Sequence, residues 1–195
     1  MKKKFAVFFL SILISFGAAA NEIKDLSKRL EDVYGVSVLP PQEKGWSVMQ
    51  KGKTQLVLAK KGPTENSTYI APVTIFKLPK IKTEQQFLEY ISKMKEVQQP
   101  KERFKVIQDN HEFIPGGTNH IIKYHKIVED KVATAKYGNK TMLMEIIGYT
   151  FQHPKNFSIG VDFGYSYRYH IGAEDKKLLD KANAFLDQIK LIDFK

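Results

Sequence analysis

The sequence predicts an α+β domain: one antiparallel sheet with amphipathic helices packed on its faces, an α/β/α sandwich. Two observations carry this. Residues 157–171 alternate so cleanly that they must form a strand inside a sheet. Phe157, Ile159, Val161, Phe163, Tyr165, Tyr167, Tyr169 and Ile171 take one face; Ser158, Gly160, Asp162, Gly164, Ser166, Arg168 and His170 take the other. Second, the remaining elements run helix, hairpins, helix, meander, helix, with no internal repeat and no regular strand–helix alternation.

The first twenty residues stand apart. Lys2, Lys3 and Lys4 precede an apolar run from Phe5 to Phe16, and Ala18-Ala19-Ala20 supply small residues for cleavage. This is the pattern of a secretory signal peptide cut before Asn21, with residues 21–195 as a single domain. The other reading is a retained N-terminal anchor, but the run falls short of the roughly 20 residues of a comfortable span. No stable membrane anchor is expected after cleavage. No cysteine occurs anywhere in the 195 residues, so thiol catalysis, thiolate metal sites and a lipoprotein anchor are excluded. An exported chain without disulfides must rely on packing. The basic signal and the missing cysteines suit a bacterial periplasm. Removing the three leader lysines leaves 28 basic against 21 acidic residues, a net +7. The basic residues are scattered among acids, which reads as a mixed soluble surface, with an anionic partner as the sharper alternative.

Residues 22–34 read as a helix, with Ile23, Leu26, Leu30 and Val33 at helical spacing and Gly35 as its stop. Trp46 opens a β-rich region as a core anchor. Strands follow at 54–60, with Leu56 and Leu58 on one face, and at 67–78. Pro72 inside the second implies an edge strand or a bulge. Thr83-Glu84-Gln85-Gln86 is a capping box that starts a helix to about Val97, striped by Phe87, Ile91 and Met94. Four strands are expected near 105–114, 120–128, 141–153 and 157–171, with turns at Pro115-Gly116-Gly117, Gly138-Asn139 and His153 to Asn156. A last helix spans about 174–188, with Glu174 and Asp175 in its first turn and Leu178, Ala182, Phe185 and Ile189 on its buried side.

No catalytic signature emerges. Gly52-Lys53-Thr54 ends like a phosphate loop, but the upstream glycine position is Ser47 and a strand follows. His111-Glu112 opens like a zinc-protease motif, but the second histidine position is Pro115. Gly164-Tyr165-Ser166-Tyr167-Arg168 lacks the final glycine of a nucleophile elbow. Ser92-Lys93-Met94-Lys95 matches S-x-x-K without its companion motifs and reads as a solvated helix face. His120 and His125 point to opposite faces of one strand. Asp162 and His170 share a face but lie roughly 26 Å apart at strand rise. Only cross-strand pairs, such as His125 or His153 near His170, could build a histidine cluster. No catalytic residue, metal site or cofactor is assigned.

The candidate ligand or partner surface is Tyr165, Ser166, Tyr167, Arg168 and His170. Arg168 and His170 lie about 6.5 Å apart on one face with Ser166 continuing the row, which could hold an anionic group or form an ordinary cross-strand salt bridge. The tyrosine row could line a ligand cleft or lie beneath a helix as core. Nucleic acid is not expected as a partner of an exported protein.

Gly45-Trp46-Ser47-Val48, a strand ending Ala59-Lys60-Lys61, the run Ile70-Ala71-Pro72-Val73, Phe87-Leu88 and Ile91 on a capped helix, and Tyr165-Ser166-Tyr167-Arg168 before a helix with Ala182, Phe185-Leu186 and Ile189 together resemble the PsbP-like superfamily. That superfamily includes the Ran-binding Mog family and the bacterial periplasmic DcrB-type proteins. The resemblance covers roughly residues 36–192. This chain departs from it in its own N-terminal helix and a long loop around Gly138. The resemblance implies the α/β/α sandwich and a non-enzymatic binding or assembly role without naming a partner. The expected function is thus an exported periplasmic accessory protein that binds a protein partner in the cell envelope. The alternative is a carrier of a small apolar or anionic ligand on the tyrosine-rich sheet face.

Overall fold

The computed structural model describes residues 21–33, 35–115, 120–138 and 140–191. The leader and the middle of the Pro115-Gly116-Gly117 turn lie outside them, as does Asn139. In chain order the elements are β1 (Asn21–Glu22), β2 (Leu30–Val33), β3 (Val36–Val38), β4 (Ser47–Lys51), β5 (Gln55–Lys61), β6 (Thr68–Lys77), α1 (Glu84–Gln98), β7 (Phe104–Phe113), β8 (Ile121–Asp130), α2 (Lys131–Lys136), β9 (Met142–Gln152), β10 (Ile159–His170), α3 (Leu178–Leu186) and β11 (Lys190–Leu191). The main sheet is antiparallel throughout and has the order β1-β4-β5-β6-β10-β9-β8-β7. Two hairpins build one half. The chain then crosses through α1 to the far edge and meanders back, so β10 closes the sheet against β6. As its alternation requires, β10 is a central strand, paired with β6 and β9.

The two faces of β10 define two layers. Tyr165, Tyr167 and Tyr169 join Trp46, Leu56, Leu58 and Val73 in the main core, under Phe185, Ala182 and Leu178 of α3. Trp46 is fully buried, with its ring 5.7 Å from Tyr165. The opposite face meets α1, where Phe87 and Ile91 pack with Leu78 and Ile122. Half of the capping box forms, with Thr83 Oγ1 accepting from the Gln86 amide at 3.2 Å, while the Gln86 side chain reaches one residue further back and accepts from the Lys82 amide at 2.9 Å.

Several expectations are corrected. Residues 22–34 are not a helix. β1 pairs with β4, and β2 forms a hairpin with β3 across Gly35, whose φ of 75° suits a glycine turn. With β11 this hairpin makes a small sheet of order β11-β3-β2. A helix of about 13 residues is marginal alone. Here the segment is held instead by strand pairing and by Arg29, which donates to the carbonyls of Ser37 and Gln188. Pro72 lies neither on an edge strand nor at a bulge. β6 is central, and its pairing with β10 lapses between Ile70 and Val73 without a change of register. The donor that proline lacks is accommodated by this gap. Phe157 and Ile171 fall outside β10 and are exposed. Residues 131–136 form the short helix α2 rather than a plain loop, because Asp130 caps it by accepting from the Ala133 amide at 3.0 Å. Glu174 and Asp175 precede α3 instead of starting it; its first-turn acid is Asp180.

Gly148 and Gly164 make room for one large side chain. A Cβ on Gly148 would lie 2.4 Å from the Phe163 carbonyl oxygen and 2.5 Å from the Tyr124 hydroxyl. Tyr124 therefore crosses β9 only because residue 148 has no side chain. Gly148→Ala should destabilise the fold by about 1–3 kcal/mol through overpacking. Urea unfolding of the variant beside the parent measures this, and unchanged stability would mean that Tyr124 is not held there.

Candidate functional site

The tyrosine row is closed to a ligand. Tyr165, Tyr167 and Tyr169 are at most 2% exposed. Tyr167 stacks between Tyr69 and Tyr169, with ring centroids 4.3 and 5.0 Å away. Charged groups seal the rim. Tyr69 Oη donates to Asp175 at 2.7 Å, Lys181 Nζ lies 2.8 Å from Asp175 and 3.3 Å from Glu43, and Glu43 also pairs with Lys60. Burial pushes the Tyr69 hydroxyl well up, and its bond to Asp175 adds to this.

This rim makes stability depend on pH at both ends. Burial alone would raise the Asp175 carboxyl, but the hydrogen bonds from Lys181 and Tyr69 outweigh it and hold the group below its ordinary value. Burial alone would lower Lys181, but its bonds to Asp175 and Glu43 hold it above. The Asp175 contribution is thus complete above the unfolded carboxyl value of about 3.9 and fades as pH falls through the lower folded value. The Lys181 contribution is complete below about 10.4 and fades as pH rises through the higher folded value. Asp175→Asn should flatten both limbs of a Tm-versus-pH curve. An acid limb as steep as the parent's would refute the assignment.

The other face of β10 carries the candidate site. A cavity of about 130 Å³ lies between the C-terminal half of α1, the turn after it and the sheet. Lys95, Gln98 and Gln99 line it from α1, and Arg103 and Phe104 from the turn. Gln55, Ile70, Pro72, Tyr124, Lys126, Asp130, Met144, Ile146, Asp162, Ser166 and Arg168 form its floor and walls. The strands put these side chains here by simple alternation: Tyr124, Lys126 and Asp130 are the inward, buried positions of β8. The turn at Pro100, where the Arg103 and Phe104 amides donate to the Pro100 carbonyl, aims Arg103 at the sheet.

Most of the charges are matched. Arg103 grips Asp130 with two bonds, Nε at 3.2 Å and Nη2 at 2.9 Å. Lys126 pairs with Asp109 at 3.0 Å. Thr150 donates a hydrogen bond to Asp162. The Lys95 ammonium sits 3.2 Å from the centre of the Tyr124 ring, a cation–π contact. Burial pulls the Lys95 value down, and the Asp162 charge opposes that. Burial also raises the Tyr124 hydroxyl, reinforced by Asp162.

Arg168 is different. It is 5% exposed, and its Nε has no hydrogen-bond partner among the described residues. The carboxylate that acts on it, Asp130, is already held by Arg103. Burial lowers the Arg168 value, and the pull of Tyr137 and Asp130 opposes this. Three side-chain amides on the cavity wall also have a buried atom without a partner among the described residues: the donors Gln55 Nε2 and Gln98 Nε2 and the acceptor Gln99 Oε1.

Of the five residues proposed from sequence, the structure thus brings Ser166 and Arg168 together at the cavity. It sends Tyr165 and Tyr167 to the core on the far side. His170 shares the Arg168 face but does not line the cavity, and its Nδ1 is buried without a partner among the described residues. The histidines do not cluster. His125 bonds Glu145 at 2.7 Å, and the sheet register puts His153 and His170 at opposite ends of β10. No group of three or more potential metal ligands occurs among the described residues. Lys95 is not on a solvated helix face. It lies four residues after Ile91 and eight after Phe87, so it continues the buried stripe while Ser92 stays exposed. That position within an apolar stripe is the signal that could have marked it.

No family model matches the chain, and no curated protein matches it. Among solved structures it is similar to the Ran-binding protein Mog1p of Saccharomyces cerevisiae, with a TM-score of 0.46 and 12% identity over 91% of this chain and 100% of that one. It is also similar to a point mutant of the protein Mog1, with a TM-score of 0.45 and 12% identity over 85% of this chain and 96% of that one.

Proposed function

We propose that this chain is an exported, non-enzymatic binding protein that takes a small anionic group in the cavity beneath α1. Arg168 is the observation that carries the reading. A guanidinium withdrawn from water with an unsatisfied Nε costs several kcal/mol unless something pairs with it. Among the described residues no carboxylate forms an ion pair with Arg168, so an anion from outside completes the site. The Ser166 hydroxyl donates to the Ile70 carbonyl at 3.2 Å rather than to a base, which supports binding over nucleophilic catalysis. Export rests on the basic, apolar and small-residue pattern of residues 1–20, and the periplasm on that pattern together with the missing cysteines. Native mass spectrometry on protein released gently from its own cell envelope tests both. The expected result is a mass starting at Asn21 and carrying an acidic adduct that is lost on denaturation and absent from Arg168→Met. A bare mass from the parent protein would overturn the ligand reading, and a mass starting at Met1 would overturn cleavage.

A protein partner in the cell envelope is the second reading. The ten-residue edge strand β7 favours it, with Val106 and Ile107 51% and 55% exposed beside a bulge. A long edge strand offers unpaired backbone groups to a partner's strand. Crosslinking in intact cells from a photoreactive residue at position 107 should then capture one envelope protein. Capture of none would count against it.

A further inference from the structure

We infer that the anionic group is the carboxylate of a short-chain acid, with its carbon tail against Ile70, Met144 and Ile146. This rests on the reading of the cavity as an anion site and narrows it. Charge comes first. Arg103 is committed to Asp130 and Lys126 to Asp109, and the Lys95 ammonium lies over the Tyr124 ring. Of the two arginines on the wall, Arg168 is without an ion pair among the described residues. A monoanion balances it. A dianion would bring a second negative charge beside Asp130 in a site with little water to screen it.

Shape and size agree. The planar guanidinium fork matches the two oxygens of a carboxylate. Gln98 Nε2, a buried donor without a partner among the described residues, lines the same cavity and is free to take an outer lone pair. Beyond these donors the wall turns to carbon, at Ile70, Pro72, Met144 and Ile146. Such a wall cannot satisfy the further oxygens of a phosphate or sulfate, but it suits methylene groups. A cavity of about 130 Å³ lies below the size of a drug-sized pocket, which favours a short tail.

The test follows the Arg168 Nε–H signal by ¹⁵N NMR in the exported protein while butyrate or inorganic phosphate is added. Butyrate should move that signal and saturate at a concentration at least about tenfold below phosphate. Arg168→Lys, which keeps the charge but loses the fork, should weaken butyrate by about tenfold or more. If phosphate binds at Arg168 as tightly as butyrate or tighter, the carboxylate inference falls and the anion site stands. If neither probe moves the Arg168 signal, both fall. If butyrate binds Arg168→Met as well as the parent, the ligand sits elsewhere and both fall again.

Discussion

Arg168→Met should raise the melting temperature of this protein while abolishing its anion binding. The two effects share one cause. Arg168 is 95% buried by its exposure of 5%, its Nε lacks a partner among the described residues, and burial already presses its proton affinity down. Replacing a buried, poorly compensated charge by an apolar side chain of similar length is worth about 1–4 kcal/mol. In a domain of this size each kcal/mol moves Tm by about 2–4 °C. The neighbours allow the exchange, since Ile70, Met144 and Ile146 already form an apolar wall. The charge is thus held at the expense of the fold, as expected of a binding residue rather than a structural one. Thermal melts with and without butyrate make the comparison. The parent should gain Tm with ligand. The variant should start higher and gain nothing. A variant that melts well below the parent would make Arg168 a structural residue and remove the chief support for the site.

How much of this was legible in the sequence depends on the range of the interaction. The alternation of residues 157–171 placed the tyrosines and Ser166 with Arg168 on opposite faces, because a strand's period of two is a local property. The capping box at Thr83 located α1 for the same reason: its donors and acceptors lie within four residues. The N-terminal segment misled because Ile23, Leu26 and Leu30 satisfy a helical stripe, while pairing of β1 with the distant β4 and a short β2–β3 hairpin across Gly35 decide the outcome. Pro72 misled similarly: a central strand tolerates it only because β10 leaves a gap opposite, which no local pattern records. The cavity was half legible. Arg168 stood out within its strand, but Lys95, Arg103, Tyr124, Asp130 and Asp162 come from α1, a turn and two strands. Only the crossover through α1 and the return meander bring them together.

Asp130→Asn tests that convergence in the opposite direction. Asp130 is 1% exposed and does three things: it holds Arg103 in a two-bond pair, caps α2 through the Ala133 amide, and is the carboxylate acting on Arg168. Asparagine keeps the cap, being as good an N-cap as aspartate, and removes the charge. What is lost is the counterion of Arg103, which is 13% exposed, and with it the carboxylate charge that acts on Arg168. Removing one partner of a buried pair costs about 3–5 kcal/mol, and the partial exposure of Arg103 favours the lower end, about 3 kcal/mol. Urea unfolding should show that loss, and Asp130→Ala should lose about 1 kcal/mol more with the cap. The cavity of Asp130→Asn then holds two unmatched positive charges instead of one. Its anion preference should shift toward inorganic phosphate, and phosphate should restore stability to this variant far more than to the parent, since a ligand stabilises whichever state it binds. If phosphate rescues both proteins equally, Arg103 and Arg168 do not share one site.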